Sequence, residues 1–229
     1  LVYSRYCIPY FIELISGGKI MNKSTLTAIT CAAVLAVTSV PASAEMFDMD
    51  KLNYGLKGSL QLTNLTGDNA KLDGTNDNES RLGWAIGGTG EYEISDDLSL
   101  QAELLYSQRG AKKDASGNDR SQSLDYIDVP VNVVYTLPEM AEDVSVDAIV
   151  GFQMSYLLAA QSKVGTTETD NKDTFKSLDY GINIGGAATF ASPFSEGSIT
   201  GEVRYYLGLN EISDKVQNNA IQFNVGYNF

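Results

Sequence analysis

Five charged residues are conspicuous for their neighbours: Glu91, Glu103, Arg109, Glu202 and Arg204 each sit in a stretch that alternates apolar with polar residues. Glu202 and Arg204 are two positions apart and Glu103 and Arg109 six, so each pair falls on one face of an extended strand. Arg81, Asp147 and Asp179 occupy the same kind of position. Opposite charges gathered in a desolvated space pair across strands, because any charge left alone there is heavily penalised. Two roles suit such a set, a structural plug or a charged constriction in a conduit.

Catalysis is harder to find. The chain has no histidine, which removes the usual general base, the usual metal ligand and every Ser-His or Cys-His arrangement. Asp96-Asp97 reads as a turn rather than an acid–base pair. The run 73–79 is rich in oxygen ligands but lacks the spacing of a calcium-binding helix-loop-helix. Gly185-Gly186 lies within a strand, with no following helix to hold a phosphate. No catalytic, cofactor-binding or metal-binding residue is therefore predicted. A formal charge of −13 with no basic cluster argues against nucleic acid as a partner.

The elements that position the charges are strands. In the last stretch Ile221, Phe223, Val225, Tyr227 and Phe229 alternate with Gln222, Asn224, Gly226 and Asn228. The pattern recurs to give eight strands, near 52–63, 82–94, 98–109, 124–135, 144–156, 178–190, 199–209 and 219–229. In the fourth, Leu124 and Tyr126 fall on one parity and Val129, Val131, Val133 and Tyr135 on the other, which predicts a bulge near 127–130. Polar connections at 66–80, 110–122, 161–172 and 210–218 alternate with short turns at 95–97, 138–143 and 192–193. The expected fold is all-β, an eight-stranded antiparallel up-and-down transmembrane β-barrel, with long loops outside and short turns and both termini in the periplasm.

Alternation alone also fits a soluble, lipocalin-like barrel with its apolar face inward. The contents of the faces favour lipid. An eight-stranded interior has room only for side chains, and the Leu, Ile, Tyr, Phe and Trp of the apolar face would overfill it. Small polar residues with a few opposite charges suit a narrow lumen. Tyr54, Tyr92, Tyr106, Tyr156 and Phe229 lie near strand ends, where interfacial aromatic girdles belong.

Ahead of this region, 21–44 has the three parts of a secretory signal peptide: a basic start at Lys23, an apolar run, and Pro41-Ala42-Ser43-Ala44 as cleavage site. Residues 1–20 read as an over-extended reading frame, which leaves 45–229 as the barrel domain. Cys7 and Cys31 both precede the cleavage site, so the exported part has no disulfide framework.

Several stretches resemble a known family. The closing strand, with Phe223, Val225, Tyr227 and Phe229 as a membrane-insertion signature, is similar to the C-terminal strand of bacterial outer-membrane barrels. Tyr54-Gly55-Leu56-Lys57-Gly58, Glu103-Leu104-Leu105-Tyr106-Ser107-Gln108-Arg109-Gly110, Leu124-Asp125-Tyr126-Ile127-Asp128-Val129-Pro130 and Arg204-Tyr205-Tyr206-Leu207-Gly208-Leu209 resemble the PorT-like, porin-family outer-membrane β-barrels. Val134-Tyr135 departs from that family's usual Lys-Tyr pair. The resemblance implies a barrel in the outer membrane of a diderm bacterium and does not imply a pore. The implied partners are the lipid bilayer, the outer-membrane insertion machinery and an extracellular ligand at the loops. The expected function is non-enzymatic, structural or partner-binding, and the alternative is a small-solute channel.

Overall fold

Period-two alternation gives every strand an apolar and a polar face, and the structure turns the apolar one outward. The computed structural model describes residues 48–68, 70, 79–113, 120–138, 144–193 and 196–229. The extension and signal peptide expected at 1–44 lie outside these residues, as does most of the oxygen-rich run 73–79.

The strands are β1 (Leu52–Thr66), β2 (Glu79–Ser95), β3 (Leu98–Lys113), β4 (Arg120–Thr136), β5 (Val144–Val164), β6 (Thr167–Asp170), β7 (Leu178–Ala191), β8 (Ser198–Gly208) and β9 (Gln217–Asn228). Each pairs antiparallel with its neighbours; β9 returns to β1 and β4 pairs with β5, so eight of them close into a barrel. The closing ladder runs from Gly55 opposite Asn228 to Thr66 opposite Gln217. Beyond it the Phe229 N–H donates to the Tyr54 carbonyl at 2.9 Å. Closure leaves no edge along the wall, as lipid demands of a sheet.

Outward residues are apolar along the middle of the wall. Leu56, Leu60, Ile86, Val150, Ile184, Val203, Phe223 and Val225 are all exposed, while Lys57, Ser59, Gln61, Arg204, Gln222 and Asn224 are buried inside. The apolar band runs from Leu98 to Tyr106 on β3 and from Ile127 to Tyr135 on β4, about nine residues each, the length that crosses a bilayer at barrel tilt. No helix among the described residues is long and apolar enough to do so.

Toward the long-loop end the pattern inverts. On β3 and β4 the outward positions become Gln108 and Asp125, whose side chains hydrogen-bond at 3.0 Å, while Leu124, Tyr126 and Ala111 turn inward. This overturns the bulge expected near 127–130. β4 keeps one parity throughout, with Tyr126, Asp128, Asn132 and Val134 all inside. The register shift lies opposite, where Asp125 faces Ala159 and Tyr126 faces Leu157, so that Leu158 is the extra residue. It turns Leu157 and Ala160 to the same side.

The polar connections are also shorter than expected. β3 and β4 stay paired out to Lys113 opposite Arg120. β5 continues into a hairpin with β6, turned by Gly165 at φ 58°, a left-handed conformation that favours glycine. Polar side chains on both faces suit ribbons that stand clear of lipid.

A charge on the outer wall should report its depth. Val203→Arg, mid-strand on β8, is expected to destabilise the barrel in lipid vesicles by about 2–4 kcal/mol, and Leu209→Arg, past the strand end, by about 0–1 kcal/mol. Urea titration of both variants checks this; equal costs would show that the apolar face is not in lipid.

Candidate functional site

The inward residues of eight strands meet in a lumen too narrow for open space, and their layers follow from parity and register. At the short-turn end is a polar vestibule of about 320 Å³, lined by Asn53, Glu91, Glu93, Asp147 and Thr200 and floored by Lys57 and Glu202. Asp147 accepts hydrogen bonds from the Thr136 and Ser145 hydroxyls at 2.9 and 3.1 Å. Val134 packs there against Ile149 and Ala187, so an apolar contact occupies the position at which the sequence departs from the Lys-Tyr pattern.

Above the vestibule four charges from three strands form a ring. Lys57 on β1 bonds Glu103 of β3 at 2.7 Å and Glu202 of β8 at 2.8 Å. Arg204 bonds the same Glu103 at 2.8 Å and pairs with Glu202. Asn132 and Asn224 donate to the two carboxylates at 3.2 and 2.8 Å. β3 and β8 are not neighbours in the sheet, so the Arg204–Glu103 bond crosses the lumen and closes it. Each carboxylate has two cations and the ring is formally neutral, the condition under which buried charge is tolerated.

Higher up, Arg109 is wholly buried. Its guanidinium contacts Asp128, lies 3.6 Å from Asp179 and sits over the Tyr126 and Tyr206 rings, 5.2 and 4.6 Å from their centroids. A cation held between two aromatic faces gains from both. Ser107 donates to Asp128 at 2.6 Å, and Asn218 to Asp179 at 3.3 Å. The long-loop end is then closed by an apolar layer of Leu65, Ala70, Ala111, Leu124, Leu157, Ala160, Ile212 and Val216, with Phe175 against it.

The structure brings together three of the five charges singled out in the sequence, Glu103, Glu202 and Arg204. Arg109 belongs to the separate upper cluster. Glu91 lies apart from the other four, in the vestibule, where it accepts from the Gln101 amide at 3.0 Å, with no cation bonded to it among the described residues. Three partners were missed, namely Lys57, Asp128 and the aromatic pair Tyr126 and Tyr206. Lys57 shared the inward parity of Ser59 and Gln61, a signal that could have found it. Asp128 and Tyr126 were hidden by the parity switch wrongly placed on β4. Asp96-Asp97 is an exposed turn, and the Asp97 carbonyl accepts the Thr136 N–H at 2.9 Å. Of the residues 73–79 only Glu79 is described, ion-paired to Lys112 at 3.6 Å. No metal-holding group of His, Cys, Asp or Glu is found among the described residues.

The neutral ring makes its members interdependent. Glu103→Gln strands two cations on one carboxylate and is expected to cost about 3–5 kcal/mol; adding Lys57→Met restores neutrality and recovers most of it. A double-mutant cycle by urea titration in vesicles should show coupling of about 0.5–3 kcal/mol. Simple additivity would take the ring out of the barrel's stability.

Comparison with known proteins follows the same lines. Among solved structures, the attachment invasion locus protein Ail of Yersinia pestis is 16% identical over 78% of this chain and 97% of its own, with a TM-score of 0.41. Neisserial surface protein A is 12% identical over 76% of this chain and 95% of its own, with a TM-score of 0.44. Outer membrane protein W of E. coli is 11% identical over 77% and 97%, with a TM-score of 0.37. Among curated proteins no sequence matches. The family described as "outer membrane protein beta-barrel domain" matches residues 42–214, well over half of the chain. The chain belongs to this family of outer-membrane β-barrels.

Proposed function

We propose that this protein is a non-enzymatic, non-conducting barrel that presents its long-loop end outside the cell, as a structural element or a surface for an extracellular ligand. The observation that carries the reading is the double closure of the lumen: a neutral ring of Lys57, Glu103, Glu202 and Arg204, then an apolar layer around Leu124, Leu157 and Ile212. A hydrated ion or solute meets a cross-lumen ion network and, beyond it, a layer with little polarity to replace lost water. In this reading the signal peptide at 21–44 exports the chain. Phe223, Val225, Tyr227 and Phe229 address it to the insertion machinery, and the short turns face the periplasm.

Kinship with the PorT-like barrels is supported by where its motifs fall. Lys57, Glu103, Ser107, Arg109, Tyr126, Asp128, Arg204 and Tyr206, drawn from the four resembling stretches, are all buried and build both charged layers. The motifs thus encode the inside of the barrel rather than its loops.

The vestibule favours a second reading, a small-solute channel, since it opens one end of the lumen down to Lys57. Planar-bilayer recording separates the two. The purified protein is expected to give no steady conductance, and Glu103→Gln with Lys57→Met to leave it silent, because the apolar layer is intact. A steady conductance in the unmodified protein that changes with the lumen charges would replace the first reading with the second.

A further inference from the structure

The two charged layers differ in balance. The ring has two cations for two carboxylates, whereas the upper cluster has one cation, Arg109, for Asp128 and Asp179, all of them at most 1% exposed. The groups packed around it add no charge: Ser107 from β3, Tyr126 from β4, Gln153 and Ser155 from β5, Asn183 from β7, Tyr206 from β8 and Asn218 from β9. The cation nearest in the sheet, Arg81 on β2, directs its guanidinium to the Arg109 carbonyl, Ser123 and Gln108, where Gln108 in turn holds Asp125. An unpaired carboxylate in such a place costs several kcal/mol and is ordinarily neutralised by a proton. Where two carboxylates share one site, one of them keeps its proton.

Contacts decide which. Asp128 takes both the Ser107 hydroxyl at 2.6 Å and the closer approach of Arg109. Asp179 has Arg109 only at 3.6 Å, the Asn218 amide at 3.3 Å and the Tyr206 hydroxyl beside it. A second observation points the same way. Asp179 Oδ1 and Asn218 Oδ1 are both buried acceptors with no donor in hydrogen-bonding geometry, as is Asp128 Oδ1, but only at Asp179 does the neighbouring amide, whose Nδ2–H already reaches Oδ2, offer its own unsatisfied oxygen as an acceptor. A proton on Oδ1 would be the missing donor, so that acid and amide bond each other in both directions.

We propose that the upper cluster is a binding site for one proton, held on Asp179 and shared with Asn218. The pair joins the start of β7 to the start of β9, two residues beyond Val216 of the apolar layer. Loss of the proton places a second, unmatched charge directly beneath that layer. Because the folded barrel binds a proton here that the unfolded chain already releases at mildly acidic pH, stability falls as pH rises.

Infrared spectroscopy of the protein purified from outer membranes tests this. The unmodified protein at mildly acidic pH is expected to show the carbonyl band of a buried protonated carboxyl group. The band should disappear in alkaline buffer and in Asp179→Asn, and remain in Asp147→Asn, which alters only the vestibule. Asp128→Asn restores one carboxylate to one cation and should also abolish it. In urea titrations the unmodified barrel should weaken between mildly acidic and alkaline pH while Asp179→Asn stays level. Absence of the band in the unmodified protein at mildly acidic pH, or its survival in Asp179→Asn, would overturn the assignment without requiring any variant to be as stable as the parent.

Discussion

The constraint on which the rest depends is that a sheet in lipid has no water to satisfy its edges. β1 must therefore meet β9 and β4 must meet β5, and eight strands joined in this way enclose a lumen with room only for side chains. The interior is in effect a second, inverted core. Outside, chain segments gain from contact with hydrocarbon. Inside, every polar group has to find its partner among the side chains of the other strands. Arg204 reaching Glu103 across strands that are not neighbours is a consequence of that confinement.

Confinement also explains the layering. Where the outer wall is apolar the interior is polar, as at Lys57 and Gln61; where the wall turns polar, at Gln108 and Asp125, the interior becomes apolar, as at Leu124 and Leu157. The same ladder passes from a membrane wall to the wall of a small soluble-type core without losing register on β4. On β5 the change coincides with the extra residue Leu158, after which Gln161 and Lys163 face outward. A bulge at that height lets the strand leave the membrane and still keep leucine and alanine inside.

Most of the fold was legible because period two holds along the apolar band of the wall, and there parity gives the face of each residue. Glu103, Glu202 and Arg204 were legible for the same reason. Parity does not give height along the axis, which depends on how far neighbouring strands are staggered. Glu91 was read onto the correct face but lies too near the short-turn end to meet a cation. Tyr126 was misread for a different reason: an apolar residue inside a polar lumen looks like a slip of parity unless one knows where the lipid ends. Lys57 shows a third limit. A single lysine among serine and glutamine reads as a solvated surface until the partners brought to it from β3 and β8 are known.

The two closures lie at different heights and share no side chain. The ring is anchored on β1, β3 and β8, while the apolar layer draws on β1, β3, β4, β5 and the connection that carries Ile212 and Val216. Displacing that connection would uncover the apolar layer but leave Lys57 between its two carboxylates. Breaking the ring would extend the vestibule upward only as far as Arg109 and its two tyrosines. Neither change alone opens the lumen from end to end. Ala70, Phe175, Ile212 and Val216 tie the long-loop connections to the upper closure, so change in those connections is limited by the seal they help to make.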